Sequence, residues 1–130
     1  MNKIEFRITG QVRGGKNNML VTRPGQHYPN PLFSAWKLKA MAQLRAQIRP
    51  GFAMVDSPDW NWDFHYVPED KRRRDVTAIL DSVFHVFEKV GIVKDDSLIK
   101  HLRFDENRPD KIMPYILITA ERMDNDSQSA

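Results

Sequence analysis

Cysteine is absent from this 130-residue sequence. That excludes a disulfide framework, a thiolate nucleophile and cysteine-ligated zinc or iron. A long apolar run is missing too. Nothing approaches the ~18 residues of a membrane span, and the opening MNKIEFRITG lacks the hydrophobic stretch of a signal peptide. The expected compartment is the cytoplasm, with no membrane partner. Acid is almost missing from the first half. Residues 1–50 carry nine Lys or Arg and a single acid, Glu5, whereas residues 51–130 carry eleven cations against sixteen Asp or Glu. The net charge of +3 conceals that asymmetry. A cationic half and a carboxylate-bearing half suit a protein that grips a polyanion and works on it with acids or a metal. A basic surface with no particular partner fits the charges equally well.

What is present is globular in kind, with 41% hydrophobic and 10% aromatic residues in a length that suits one domain. KIEFRITG alternates Ile4, Phe6 and Ile8 with Lys3, Glu5 and Arg7, so it reads as a half-buried strand ending at Gly10. The following QVRGGKNNMLVTRPGQHY has no helical period and predicts an exposed loop or an irregular hairpin. NPLFSAWKLKAMAQLRAQIRPG predicts a helix, with Asn30 as cap, Pro31 in the first turn and Pro50-Gly51 as the stop. Phe33, Trp36, Ala40, Leu44 and Ile48 form its apolar stripe.

FAMVDSPDWNWDFHYV reads as strand material interrupted at Ser57-Pro58 by a bulge or a hairpin. Val76, Ile79, Leu80, Val83, Phe87 and Val90 mark a second amphipathic helix that Gly91 ends. A turn at Asp95-Asp96 and two strands complete the order, and DNDSQSA is a polar tail. The expected fold is α+β, a mixed sheet carrying both helices, with the domain over residues 1–122 and a tail over 123–130.

The chemistry concentrates around the second helix. Asp75 stands where an N-cap belongs, and capping alone explains an aspartate there. Lys71, Arg72, Arg73 and Arg74 precede it, a run that opposes the helix dipole and that a bound phosphate would relieve. Nearby Glu69, Asp70 and Asp75 offer a plainer relief. Asp95 and Asp96 follow one helix later, and a helix returning across the sheet is expected to bring Asp96 near Asp75. Carboxylates converging on one point need a cation. Oxygen ligands, without Cys and with few His, favour Mg²⁺ or Mn²⁺ over zinc. Thr77, Asp81 and His85 succeed one another at i+4, with Glu88 beyond, so they share a flank. Asp81 and His85 at that spacing suit a metal, but periodicity alone favours a solvated face.

KRRRDVTAILDSVFHVFEKVGIVKDDSLIKHL resembles the central segment of the RusA family of Holliday-junction resolvases of bacteria and prophages. The family pattern runs from basic residues through Asp-x-Asp-Asn-x-x-Lys and a helix to Gly, a short apolar stretch, Asp-Asp and a strand. GQVRGGKNNMLVTRPGQHYPNPLFSAW is similar to the family's N-terminal segment with its Lys-Asn pair. The resemblance implies a Mg²⁺-dependent endonuclease that resolves four-way DNA junctions by paired nicks, working in recombination and repair as a homodimer. It places Asp75 and Asp96 as metal-binding catalytic residues, with Asp95 beside them. Arg72, Arg73 and Arg74, with Lys16, Asn17 and Asn18, are implied at the DNA.

The motif departs from the family at three letters. Thr77 stands for its second aspartate, Ala78 for its asparagine and Asp81 for its lysine. Asp81 then either restores a carboxylate to the site or marks a catalytically impaired relative that binds branched DNA without cutting it. Lys16 is the candidate for supplying the missing cation.

Overall fold

The computed structural model describes residues 2–14, 19–23 and 26–123, the residues before 30 in the second and third of these ranges by backbone only. Six strands and two helices follow in the order β1 (Lys3–Thr9), β2 (Met19–Arg23), β3 (Gln26–Pro29), α1 (Pro31–Gln47), β4 (Trp60–Val67), α2 (Val76–Val90), β5 (His101–Glu106) and β6 (Tyr115–Arg122). Four of the strands make one mixed sheet in the order β1-β6-β4-β5. β4 and β5 run parallel, and both other pairings are antiparallel. α2 is the crossover that parallel neighbours require. The α+β expectation holds. β2 and β3 form a separate hairpin, one of the two forms expected of that stretch.

The alternation of β1 and β4 puts one face of the sheet under the helices. Ile4, Phe6 and Ile8 are buried there, as are Trp60, Trp62, Phe64 and Tyr66. α2 turns Ile79, Val83, Val86 and Phe87 onto this face. Phe87 meets Trp62 and Phe6 with ring centres 6.0 Å away in each case, and Phe84 meets Phe64 at 5.8 Å. Each such buried side chain contributes about 1.5–3 kcal/mol relative to exposure. Gly91 ends α2 at φ +80°, where a Cβ would be strained.

α1 has a second task. β1 is an edge strand, and its outward backbone groups are met by two glutamines one helical turn apart. Gln43 Oε1 accepts from Thr9 N–H and Gln47 Oε1 from Arg7 N–H, each at 2.8 Å, while Gln47 Nε2 donates to the Arg7 carbonyl at 2.7 Å. The helix thereby closes an edge open to strand addition.

Two expectations need correction. Residues 52–59 are not a strand or hairpin; only Val55 bridges Val93, in parallel. Both edges of β4 are already taken by β5 and β6, so the segment cannot fold back on β4 as a hairpin, and Pro50 and Pro58 bracket it. Gln11 and Val12 are buried rather than in an exposed loop. Gln11 explains this as a hub: Oε1 accepts from Glu69 N–H at 2.7 Å, and Nε2 donates to the Val12 carbonyl and the Tyr66 hydroxyl. The tail residues 124–130 lie outside the described residues.

Candidate active site

The end of β4 leads directly into the basic run and the start of α2, so one rim of the sheet collects the cations. Asp70 begins the run by fixing it. Its Oδ1 accepts from Arg72 N–H at 3.0 Å and from Arg74 Nη2 at 2.7 Å. The Arg72 backbone bond, followed by Arg74, holds the Asp70 carboxyl below its ordinary value. Arg74 also lies 3.7 Å from Glu69 and is largely buried, so its charge is matched within the chain. Arg72 is 84% exposed, and Lys71 and Arg73 are exposed as well. Of the run, these three present unburied charge to a partner.

Asp75 is the N-cap expected, with Oδ1 accepting from Thr77 N–H at 2.9 Å. It lines a small hollow of about 240 Å³ with Arg13, Gly14, Arg74 and Ala78. Gly14 lies so close to α2 that a Cβ there would stand 3.1 Å from the Ala78 Cβ. The Arg13 carbonyl accepts from the buried Ser82 hydroxyl at 2.7 Å. Segment 11–14 is thus laid along the first turns of α2 and carries Arg13 to the rim beside Asp75. Arg13 is 39% exposed and 3.7 Å from Glu69, a looser engagement than that of Arg74. Nothing in periodicity pointed to Arg13, because its place depends on a packing contact between segments far apart in sequence. Lys16, Asn17 and Asn18 lie outside the described residues.

A second acidic site lies at the other end of α2. Carboxylate oxygens of Glu88, Asp95 and Asp96 fall within 4.8 Å of one another. Asp95 caps the 3-10 turn Asp96–Leu98, its Oδ1 accepting from Ser97 N–H at 2.8 Å, and that bond lowers its pKa. Asp96 N–H donates to Glu88 Oε1 at 2.6 Å. An all-oxygen donor set of this kind, with Glu88 and Asp95 exposed and Asp96 half-buried, fits a hard divalent cation. Glu88 was seen in sequence as the end of a polar flank, not as a partner of Asp95-Asp96; the stop at Gly91, which turns the chain back on the helix, joins them.

Asp75 and Asp96 do not meet within one chain, contrary to the expectation that the helix would bring them close. Thirteen residues of helix separate Asp75 from Glu88, about 20 Å along the axis. Asp81 stands between, about 9 Å from the cap along that axis. His85 faces α1, its ring centre 5.8 Å from that of Phe33. Thr77 is exposed in the first turn. A concavity of about 900 Å³ lies elsewhere again, among Glu5, Asp63 and Arg103 of the sheet. None of the candidate site residues lines it.

The sequence has a named relative. The crossover junction endodeoxyribonuclease RusA of Aquifex aeolicus (strain VF5) is 27% identical over 101 residues, 76% of this chain and 76% of that protein. The chain is RusA-like. No family model matches it. The likeness extends over the greater part of both chains, so the RusA-like portion takes in much of the domain rather than one motif. Among the described residues of this RusA-like chain, no helix is long and apolar enough to cross a membrane.

Proposed function

We propose that the chain is a structure-selective endodeoxyribonuclease that resolves four-way DNA junctions by paired nicks, using Mg²⁺ or Mn²⁺, as a homodimer. The observation that carries this reading is the likeness to the Aquifex enzyme combined with the division of carboxylates between the two ends of α2. Asp75 and the Glu88–Asp95–Asp96 group are each too sparse or too distant to act together in one chain. A two-fold axis that sets the α2 helices of two copies side by side and antiparallel joins Asp75 of one to Asp96 of the partner subunit, twice. Two equivalent sites on one symmetric particle are what paired nicking of a four-way junction needs.

A divalent cation bound there supplies charge neutralisation at the scissile phosphate and activation of water. The chain's residues do the rest. Asp75, Asp96 and Asp95 hold the cation, with Glu88 fixing the Asp96 backbone. Asp81 adds a carboxylate one turn beyond Thr77, and Thr77 and His85 flank it. Arg72 and Arg73 bind the DNA backbone together with Lys16, Asn17 and Asn18, while Arg74 braces the run through Asp70. Arg13 stands at the hollow beside Asp75 and offers a cation where the family lysine is replaced.

The second reading, binding of branched DNA without cleavage, is favoured by one observation. The Ala78 methyl is packed against Gly14, so the departure at that letter is built into the fold. Incubation of labelled junctions with Mg²⁺ or Mn²⁺, beside an Asp75→Asn variant, separates the two. Paired nicks lost in the variant support the enzyme. Salt-sensitive binding without product under either metal refutes cleavage and leaves the binding protein.

A further inference from the structure

The loop between β5 and β6, NRPDKIMP over residues 107–114, ends in two large apolar side chains held out into solvent. Ile112 is 89% exposed and Met113 62%. Neither is there because the loop is slack. Asp110 Oδ1 accepts from the N–H of both Ile112 and Met113 at 3.0 Å. Asp110 N–H donates to the Pro68 carbonyl at 2.9 Å, Asn107 N–H to the Tyr66 carbonyl and Gly10 N–H to the Pro114 carbonyl, both at 2.8 Å. The tip is therefore built on a frame of hydrogen bonds that ties it to the end of β4. That is the rim from which Lys71, Arg72 and Arg73 project and at which α2 begins. Arg108 and Lys111 flank the tip and are exposed.

We infer that Ile112 and Met113 form an apolar wedge that enters the open centre of branched DNA and packs on the base faces exposed there. This rests on the junction-cutting function proposed above and adds to it a source of structural selectivity. Apolar wedges at minor-groove proteins separate stacked bases at a cost of a few kcal/mol per step. At a branch point the stack is already interrupted and that cost falls, so the same tip gains at a junction what it cannot gain in a duplex. The alternative occupant is a second copy of the chain. A self-contact through this tip would bring Arg108, Lys111 and the run of Lys71–Arg73 toward their own images, and like charges oppose that. A polyanion turns the same charges into attraction.

The test uses the full chain, with Ile112→Ser/Met113→Ser and Ile112→Leu/Met113→Leu compared with the unaltered protein. Affinities are measured for a synthetic four-way junction and for a duplex of matching arm sequence. 2-Aminopurine placed beside the branch reports unstacking. The serine pair is expected to lose roughly tenfold or more of the junction-over-duplex preference and the fluorescence rise, with duplex affinity held within about twofold. The leucine pair is expected to keep both. An unchanged preference and unchanged fluorescence in the serine pair would overturn the wedge. So would a fall in sedimentation coefficient in that pair, which would assign the tip to a contact between copies. If the unaltered protein binds no DNA at all, the functional reading beneath the wedge fails with it, and that outcome is visible before any variant is made.

Discussion

Mixing two inactive variants tests whether one active site is assembled from two chains. Asp75→Asn and Asp96→Asn each remove a carboxylate from both sites of a homodimer, and each alone is expected to lose about a hundredfold or more in cleavage rate. The helix puts Asp75 about 20 Å from the Glu88 end, far beyond the ~4 Å that separates paired metal ions. If the sites are shared, a mixed dimer concentrates both lesions in one site and leaves the other intact. Random exchange makes about half of the dimers mixed, so roughly a quarter of all sites recover. The nature of the product also changes. A plasmid that extrudes a cruciform is linearised by paired nicks but only relaxed to an open circle by one. Co-expression with two different tags isolates the mixed dimer, which should yield open circles at about half the unaltered per-site total. If each site belonged to one chain, every site in the mixture would still carry a lesion. No product above the background of the separate variants would then refute the shared site.

Other consequences follow from particular contacts. Gln11→Leu leaves Glu69 N–H and the Tyr66 hydroxyl without their partner, and should lower stability by about 1–3 kcal/mol per buried group, read from urea unfolding. Asp70 titrates below its ordinary value, so its share of stability is present above the unfolded value of 3.8 and lost as pH falls through the depressed one. Asp70→Asn should flatten the dependence of the unfolding midpoint on pH in that acidic window and nowhere near neutrality. Gln43→Ala/Gln47→Ala bares the β1 edge; light scattering should show association at concentrations where the unaltered chain stays dispersed. Gly14→Val puts a Cβ 3.1 Å from the Ala78 methyl with two further methyls behind it, and should slow cleavage severalfold by displacing Arg13 from Asp75, while the unfolding midpoint falls by an amount equivalent to about 1–3 kcal/mol.

The elements most legible in sequence were those with a strong period and punctuation. α2 runs between the Asp75 cap and Gly91, and α1 begins after Asn30, because capping and stop chemistry are local and carry their own signals. The strand character of WNWDFHYV was equally plain, since burial on one face imposes a period of two. What failed was long-range. Residues 52–59 have the composition of a strand, yet a hairpin with β4 needs a free β4 edge, and the sheet order that fills both edges is not written in that segment. Asp75, Asp95 and Asp96 stood out in the sequence by residue type and spacing, but their meeting was inferred from chain order. A fifteen-residue helix is a rigid spacer, and its length alone sends Asp96 to the far end.

Capping and metal binding are compatible at Asp75 and at Asp95. In each case the cap engages Oδ1, through Thr77 N–H at 2.9 Å for Asp75 and Ser97 N–H at 2.8 Å for Asp95. A carboxylate has a second oxygen, and an aspartate tied at one oxygen loses rotamer freedom before any ligand arrives. The cap is then the device that aims the ligand. Asparagine keeps the cap, because its amide oxygen accepts the same N–H, but it gives up the negative charge. Asp75→Asn should therefore unfold within a few tenths of a kcal/mol of the unaltered chain and yet be inactive, whereas Asp75→Ala should lose both activity and about 1 kcal/mol of stability. Parallel urea unfolding and nicking assays read the two effects separately. Full cleavage by the asparagine variant would reduce Asp75 to a cap and nothing more.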